Sequence, residues 1–313
     1  MSCPLFHLRS LSIHLHAARS VRDLFRAAQL NVARPAGSLG KLLHDSLTEQ
    51  HDSILRSARR PGPQARLDDR TRRAVLRLEA DVRIFLPVLA TGPAVHLLGE
   101  LGWLVSLLDE VRDREVLAER IAARLAALSE LLVLGPVEAG VERALGEEKT
   151  EHLDRLRDAL QSDRYEHLLV TLGEWRSTPP LTRKADRPSA AVTTFLIGAA
   201  DDFDEELARA ELDRAPEHLQ RAREAGRRLR YAVQGGEEHL GRKVTKRLER
   251  ARRLADLLAE LASSLRSAEF LQRVGPASDL DAEHNGFTYG LLYEQEVRRA
   301  AVLRGALEND RRR

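Results

Sequence analysis

The chain repeats itself at long range, and this constrains its fold more than any single motif. Residues 72–82, RRAVLRLEADV, and 223–233, REAGRRLRYAV, share Arg72/Arg223, Arg77/Arg228, Leu78/Leu229 and Val82/Val233, 151 positions apart. Residues 104–111, LVSLLDEV, and 254–261, LADLLAEL, share Leu104/Leu254, Leu107/Leu257, Leu108/Leu258 and Glu110/Glu260, 150 positions apart. Two matches in the same order at nearly the same offset predict a duplicated helical unit. Residues near 67–132 are then expected to superpose on those near 215–280, with a candidate site between the halves.

The repeated units are helical on composition. Ala, Leu, Glu and Arg dominate, all of them helix formers. Aromatics make up 4% of the chain and β-branched runs are short, which argues against an extended sheet. The fold class is therefore all-α, and 313 residues suffice for a large core or two packed subdomains.

Apolar periodicity and breakers give the organisation. A variable lead-in covers 1–35, followed by a first half at 38–176, a linker at 177–190 and a second half at 191–306, with a frayed tail at 307–313. Within the first half the expected helices span about 38–57, 67–89, 94–110, 114–132 and 137–161. Leu67, Ala74, Leu78, Val82 and Phe85 form the buried stripe of the second. Pro61-Gly62-Pro63 and Gly135-Pro136 break the chain, and Ser162 is placed to cap a helix beginning in SDRYEHLLVTLGEW. STPPLTRKADRP, with its prolines and lack of apolar period, reads as linker. The second half is expected to hold helices near 192–210, 215–234, 239–268 and 283–307, with loops at Gly235-Gly236 and Gly275-Pro276.

The net charge of +2 conceals an uneven distribution. Residues 214–253 carry thirteen Lys and Arg against five Asp and Glu, which leaves the remainder of the chain net acidic. Such a segment points to an anionic partner. Only five of the 50 basic residues are lysine. Arginine is the better bidentate phosphate ligand, although a GC-rich genome gives the same bias. On a helical wheel of 219–233, Leu219, Ala222, Gly226, Leu229 and Val233 share the core arc. Arg223, Arg227 and Arg230 lie just beside it. Three guanidinium groups one turn apart repel unless something anionic neutralises them. Two readings stand: a solvated face screened by salt and glutamates such as Glu224, or an anion-binding stripe. The counterpart helix is weaker, because Leu76 separates Arg72 from Arg83 and Asp69 and Glu79 flank them.

Five segments in order resemble the signatures of one family, the CHAD domain (conserved histidine α-helical domain), over roughly 38–306. A signature of the form H-x-x-R-V-x-x-R-R-L-R followed by F-R-P is matched by 68–87, which keeps Arg72, Arg77, Leu78, Arg83, Phe85 and Pro87. L-G-x-x-R-D-x-D-V-L is matched by LDEVRDREVL, 108–117, which keeps Arg112, Asp113 and Val116-Leu117. D-S-x-R-Y-x-x-L-L is matched by QSDRYEHLL, 161–169. L-H-x-x-R-K-x-x-K-R-L-R-Y is matched by LQRAREAGRRLRY, 219–231, and L-Q-D-x-L-G-x-x-x-D by LADLLAELAS, 254–263, with GFTYGLL at 286–292 similar to the family's C-terminal stretch.

The resemblance implies two similar helical bundles related by a pseudo-twofold axis around a basic cavity. It also implies a non-enzymatic role, binding inorganic polyphosphate, often at polyphosphate granules. Carried onto this sequence, the binding residues would be Arg72, Arg77, Arg83, Arg223, Arg227, Arg228, Arg230 and Arg252. The chain departs from the pattern at the histidines themselves. Asp69, Gln220 and Leu261 stand in their places, Leu76 replaces an arginine and Glu224 a lysine. The alternative function is a helical protein-interaction scaffold whose anion site has decayed.

Other chemistry is thinly represented. Glu294-Gln295-Glu296-Val297-Arg298 has the form of the E-x-E-x-[KR] signature of CYTH triphosphatases, which opens a β-strand. Here it falls in a C-terminal helix and reads as a solvated charge run. His44 and His51 could share a helical face but read as surface histidines beside Asp45 and Asp52. There is no Glu-x-x-His pair of the di-iron kind, no Walker loop, and no zinc spacing with Cys3 as the only cysteine. Aromatic interleaving for single-stranded nucleic acid is confined to Tyr231, which argues against that partner. No catalytic residue, metal or cofactor is expected, and no particular protein partner is indicated. The N-terminal apolar stretch is interrupted by His7, Arg9, His14 and His16, so neither a signal peptide nor a membrane span is expected. With no internal disulfide possible, a cytoplasmic location follows as the expectation.

Overall fold

A computed structural model describes residues 37–58, 69–213, 215–236, 242–278 and 286–311. The lead-in 1–35 with Cys3, the Pro61-Gly62-Pro63 break and Leu67 lie outside the described residues. Nine α-helices are described: α1 (Leu39–Ala58), α2 (Asp69–Ile84), α3 (Thr91–Ala126), α4 (Val137–Ala159), α5 (Asp163–Ser177), α6 (Val192–Asp213), α7 (Pro216–Gly236), α8 (Arg242–Ser278) and α9 (Gly286–Arg311). Among the described residues β-pairing is limited to two isolated bridges, Ser38 with Pro188 and Leu89 with Leu181. The fold is all-α.

Two compact units interleave along the chain. One holds the described residues up to Leu101 together with Leu160–Ala191, and the other holds Gly102–Ala159 with Val192 onward. Residues 102–159 therefore pack with the C-terminal part of the chain, and the crossing points fall at 101/102, inside α3, and 159/160.

In the first unit, α1 packs along α2 and α5. Leu39, Leu43, Leu47 and Ile54 recur at helical spacing and are buried. Ser38 caps α1, its Oγ accepting from the Lys41 N–H at 3.2 Å. Of the stripe expected on α2, Ala74, Leu78, Val82 and the following Phe85 are buried. Ser162 caps α5, accepting from the Tyr165 N–H, with Asp163 and Glu166 in the first turn, where they suit the helix dipole. The 177–190 segment is tied down rather than free. The Thr182 N–H donates to the Val88 carbonyl (2.9 Å), the Ala90 N–H to Pro180 (2.8 Å) and the Leu39 N–H to Arg187 (2.9 Å). Residues without apolar periodicity can still be held by backbone hydrogen bonds, to which a periodicity test is blind.

In the second unit the strongest packing joins α8 to α9 and α6 to α7. Ile121, Val137, Val141, Leu145, Phe270, Leu271, Tyr289 and Leu292 form one core cluster. Two expectations are corrected here. The helices near 94–110 and 114–132 are one helix of 36 residues, followed by a 3₁₀ turn at Glu130–Leu132. Nothing between Val111 and Arg114 is a helix breaker, so the backbone continues. The helix expected to end near 268 runs on to Ser278 through Gly275. A Cβ there would lie 3.3 Å from Tyr289 Cβ, so Gly275 permits close approach of α9 rather than a turn.

The repeat seen in the sequence has a counterpart in burial. Residues 101–110 and 251–260 share their burial pattern position by position, differing only where Trp103 is half-buried and Arg253 exposed. Thr71, Ala74, Val75, Leu78 and Asp81 are buried, as are Ala222, Ala225, Gly226, Leu229 and Ala232 at the matching places. The two segments differ on one flank. The first buries Leu76, Glu79 and Ala80 where the second has half-buried Arg227, Arg230 and Tyr231.

Candidate functional site

The arginine stripe is set by how closely α7 is seated. Its buried line is Ala222, Ala225, Gly226, Leu229 and Ala232. The expected Leu219 and Val233 are only half-buried, and two alanines take their place. At Gly226 an added Cβ would lie 2.8 Å from Ala255 Cβ and 3.0 Å from the Phe203 ring. Only glycine fits, and α7 is drawn so close to α6 and α8 that its flanks are partly covered.

Arg223, Arg227, Arg228 and Arg230 are brought together on those flanks, and each meets a carboxylate. Arg223, 14% exposed, places Nη2 3.2 Å from Asp113 Oδ1, and Arg266 Nη1 lies 3.0 Å from the other oxygen. Arg227, 18% exposed, pairs with Asp109, and Arg230 with Asp256. Arg228 Nη1 lies 4.0 Å from Glu224 Oε2. Gln220 links the row, accepting from Arg223 (3.4 Å) and donating to Glu224 (2.9 Å). Like charges on one helix need counter-charge; α3 and α8 supply it to Arg223, Arg227 and Arg230, and α7 itself to Arg228. Arg252 is exposed on α8, with no ion-pair partner among the described residues.

Arg72, Arg77 and Arg83 lie on α2 in the other unit. Arg83 Nε donates to Glu79 Oε1 at 3.1 Å, and Arg77 Nε lies 3.9 Å from Asp81 Oδ2. Arg72 is half-buried. Asp81 is buried, and the Ser46 hydroxyl donates to it. Burial pushes its carboxyl up to about 6, against the lowering by Ser46 and by the Arg77 charge, with Glu49 adding to the rise. Leu76 is 2% exposed, so the arginine of the motif has no place there in this packing.

The three positions where the motif has histidine differ among themselves. Asp69 and Gln220 are exposed. Leu261 is buried and lines a small cavity of about 70 Å³ with Leu219, Leu258 and Leu265 and the charged Glu211, Arg304 and Glu308. The histidines read as surface groups are not so. His51 is 2% exposed, and His44 Nε2 donates to the Arg176 carbonyl at 2.8 Å. His51 falls on the buried line of α1, three residues before Ile54, which carries it inward.

A second charged cluster was not expected. Glu296, in the motif read as solvated, is 1% exposed. Arg120 Nε lies 3.0 and 3.1 Å from its two oxygens, Arg120 Nη2 2.7 Å from Oε2, and Arg124 Nε 2.9 Å from Oε1. Arg120 also reaches Glu260 Oε1 (3.0 Å) and Ser264 Oγ (2.7 Å). Burial alone would raise the Glu296 carboxyl. The hydrogen bonds from Arg120 and Arg124 outweigh that and hold it below the usual carboxylate range. The sequence carried the signal, since Tyr289, Leu292, Glu296, Ala300, Leu303 and Leu307 fall on one buried stripe of α9. Glu294 behaves as expected, pairing on the surface with Arg298. Among the described residues no group of three His, Cys, Asp or Glu side chains is disposed to hold a metal ion.

Comparison with known proteins adds family and fold. A family model described as the CHAD domain matches residues 68–272. Two uncharacterized proteins of Mycobacterium tuberculosis, from strains CDC 1551 and H37Rv, are each 30% identical over 227 residues. The alignment covers 67% of this chain and 40% of theirs, so the chain spans about two-fifths of the length of these relatives. PptA from Streptomyces chartreusis superposes with a TM-score of 0.69 at 19% identity, over 88% of this chain and 100% of its own. The CHAD domain from the plant Ricinus communis gives 0.60 at 24% identity, over 90% and 94%. At these identities the likeness to the solved structures is one of fold.

Proposed function

Because the chain belongs to the CHAD domain family, matched across residues 68–272, we propose that it binds inorganic polyphosphate and does not hydrolyse it. The observation that supports this best is the stripe of Arg223, Arg227 and Arg230 along one flank of α7, with Arg228 on the same helix. Polyphosphate carries about one negative charge per internal phosphate, like a nucleic-acid backbone without bases. Cations repeating each helical turn, about 5–6 Å apart, suit it. Each Arg–phosphate hydrogen bond contributes about 1.5–3 kcal/mol net. We assign Arg252 to the same ligand, and propose that Arg72, Arg77 and Arg83 on α2 also bind polyphosphate, more weakly. The matching burial registers support reading the two copies as one duplicated unit. The proposal carries with it a cytoplasmic location at polyphosphate granules. Among the described residues no helix is long and apolar enough to cross a membrane.

The test is a titration with long-chain polyphosphate at low and physiological salt, with released phosphate measured in parallel. Binding that weakens steeply with salt, without phosphate release, is the expected result. One observation favours a second reading, a helical scaffold for protein partners: the α7 arginines already hold carboxylates. Absence of binding even at low salt would favour it.

A further inference from the structure

Two of the acids beside the α7 arginines stand where the signatures carry other residues. In the alignments above, Asp113 and Asp256 fall on aspartates of the motifs. Asp109 falls on the glycine of L-G-x-x-R-D-x-D-V-L, and Glu224 on the first lysine of L-H-x-x-R-K-x-x-K-R-L-R-Y. Both substitutions deliver a carboxylate to the row. Asp109 reaches Arg227 from α3, and Glu224 sits one turn before Arg228 on α7 itself. Glu224 also accepts from Gln220, which in turn accepts from Arg223, so a change of charge at Glu224 bears on Arg223 as well as on Arg228.

Resting on the polyphosphate reading, we propose that Asp109 and Glu224 are built-in counterions that a polyanion must displace from Arg227 and Arg228 before it can bind. A phosphate oxygen entering the row trades places with a carboxylate that stays tethered beside it. The carboxylate then repels the incoming chain, and fewer salt ions leave the row, because the protein supplied part of the neutralisation itself. Affinity is lowered, and so is its dependence on salt. The two acids thus act as a fixed regulator of the site, balancing the charge of Arg227 and Arg228 until a polymer with many charges competes.

The experiment compares the full chain with Asp109→Asn, Glu224→Gln and the double variant, each titrated with long-chain polyphosphate over a range of salt. Asn and Gln keep the shape and an accepting oxygen, and circular dichroism melts report that each variant folds. The double variant is expected to bind at least about tenfold more tightly at low salt, with a steeper fall of log affinity against log salt. Adding Arg227→Gln to it should return the affinity towards that of the wild type, which locates the gain. If the wild type does not bind and the double variant does, the counterion role is supported while the polyphosphate reading of the wild-type chain falls. If the wild type binds and the folded variants bind equally or more weakly, the counterion role is overturned while the polyphosphate reading stands. If neither binds with native melts, both fall. Should Asp109→Asn prevent folding, Glu224→Gln on the helix flank carries the same comparison alone, with the same outcomes.

Discussion

Arg120 grips Glu296 through two nitrogens, with Nε 3.0 and 3.1 Å from the two carboxylate oxygens and Nη2 2.7 Å from one of them. The residues are 176 positions apart, and the pair ties α3 to α9 inside one compact unit. Glu260 and Ser264 of α8 complete the guanidinium's bonds, so three helices meet at one charge.

Glu296→Gln is expected to destabilise the fold by about 3–5 kcal/mol, because it leaves two guanidinium groups facing a buried neutral amide. The wild-type contribution should also depend on pH. The folded Glu296 carboxyl lies below its unfolded value. The stability it brings is therefore fully present above the unfolded value and is lost as pH falls through the folded one. Urea titrations of wild type and variant at neutral pH and at pH values below about 4.5 check both statements.

Asp81 behaves in the opposite sense. Its folded carboxyl is pushed up to about 6, above the ordinary value of 3.8. Between these values the folded state binds more protons than the unfolded one, so stability falls as pH rises from about 4 to about 6, then levels. The full cost of this shift is about 3 kcal/mol. Asp81→Asn should remove that slope while still accepting from Ser46, and melting temperatures across this range report it.

Arg223→Gln with Arg227→Gln should weaken polyphosphate binding by about a hundredfold or more, taking two contacts of about 1.5–3 kcal/mol each. The same pair should lower the slope of log affinity against log salt by less than about two, because Asp113 and Asp109 already balance part of these charges. A fluorescence or calorimetric titration at several salt concentrations measures both quantities.

Restoring the motif residues should divide by burial. Asp69→His and Gln220→His fall at exposed positions and should fold normally. They should strengthen polyphosphate binding most below about pH 6.5, where an unperturbed histidine gains charge. Leu76→Arg instead places a cation in the core and should cost several kcal/mol of stability, read from a denaturant midpoint.

Much of the α7 site is legible in the sequence because it is local. A period of 3.6 puts Arg223, Arg227 and Arg230 on one flank whatever surrounds them. The Ser162 cap and the buried lines of α1, α2 and α7 are local in the same way. The same periodicity marks Glu296 as inward-facing, and only its charge disguised it. What the motif at 294–298 could not reveal is that two arginines from α3 wait at that depth.

The helical class, the basic row and the repeated burial register are therefore properties of the sequence alone, since each depends on residues within a few turns of one another. Which acids answer which arginines was decided by the tertiary structure. Asp109 and Asp113 reach Arg227 and Arg223 across more than a hundred residues. The close seating of Gly226 against Ala255 is what brings α7 into this packing. Charge pairing falls off within a few ångströms, and only the packing of distant helices sets separations on that scale.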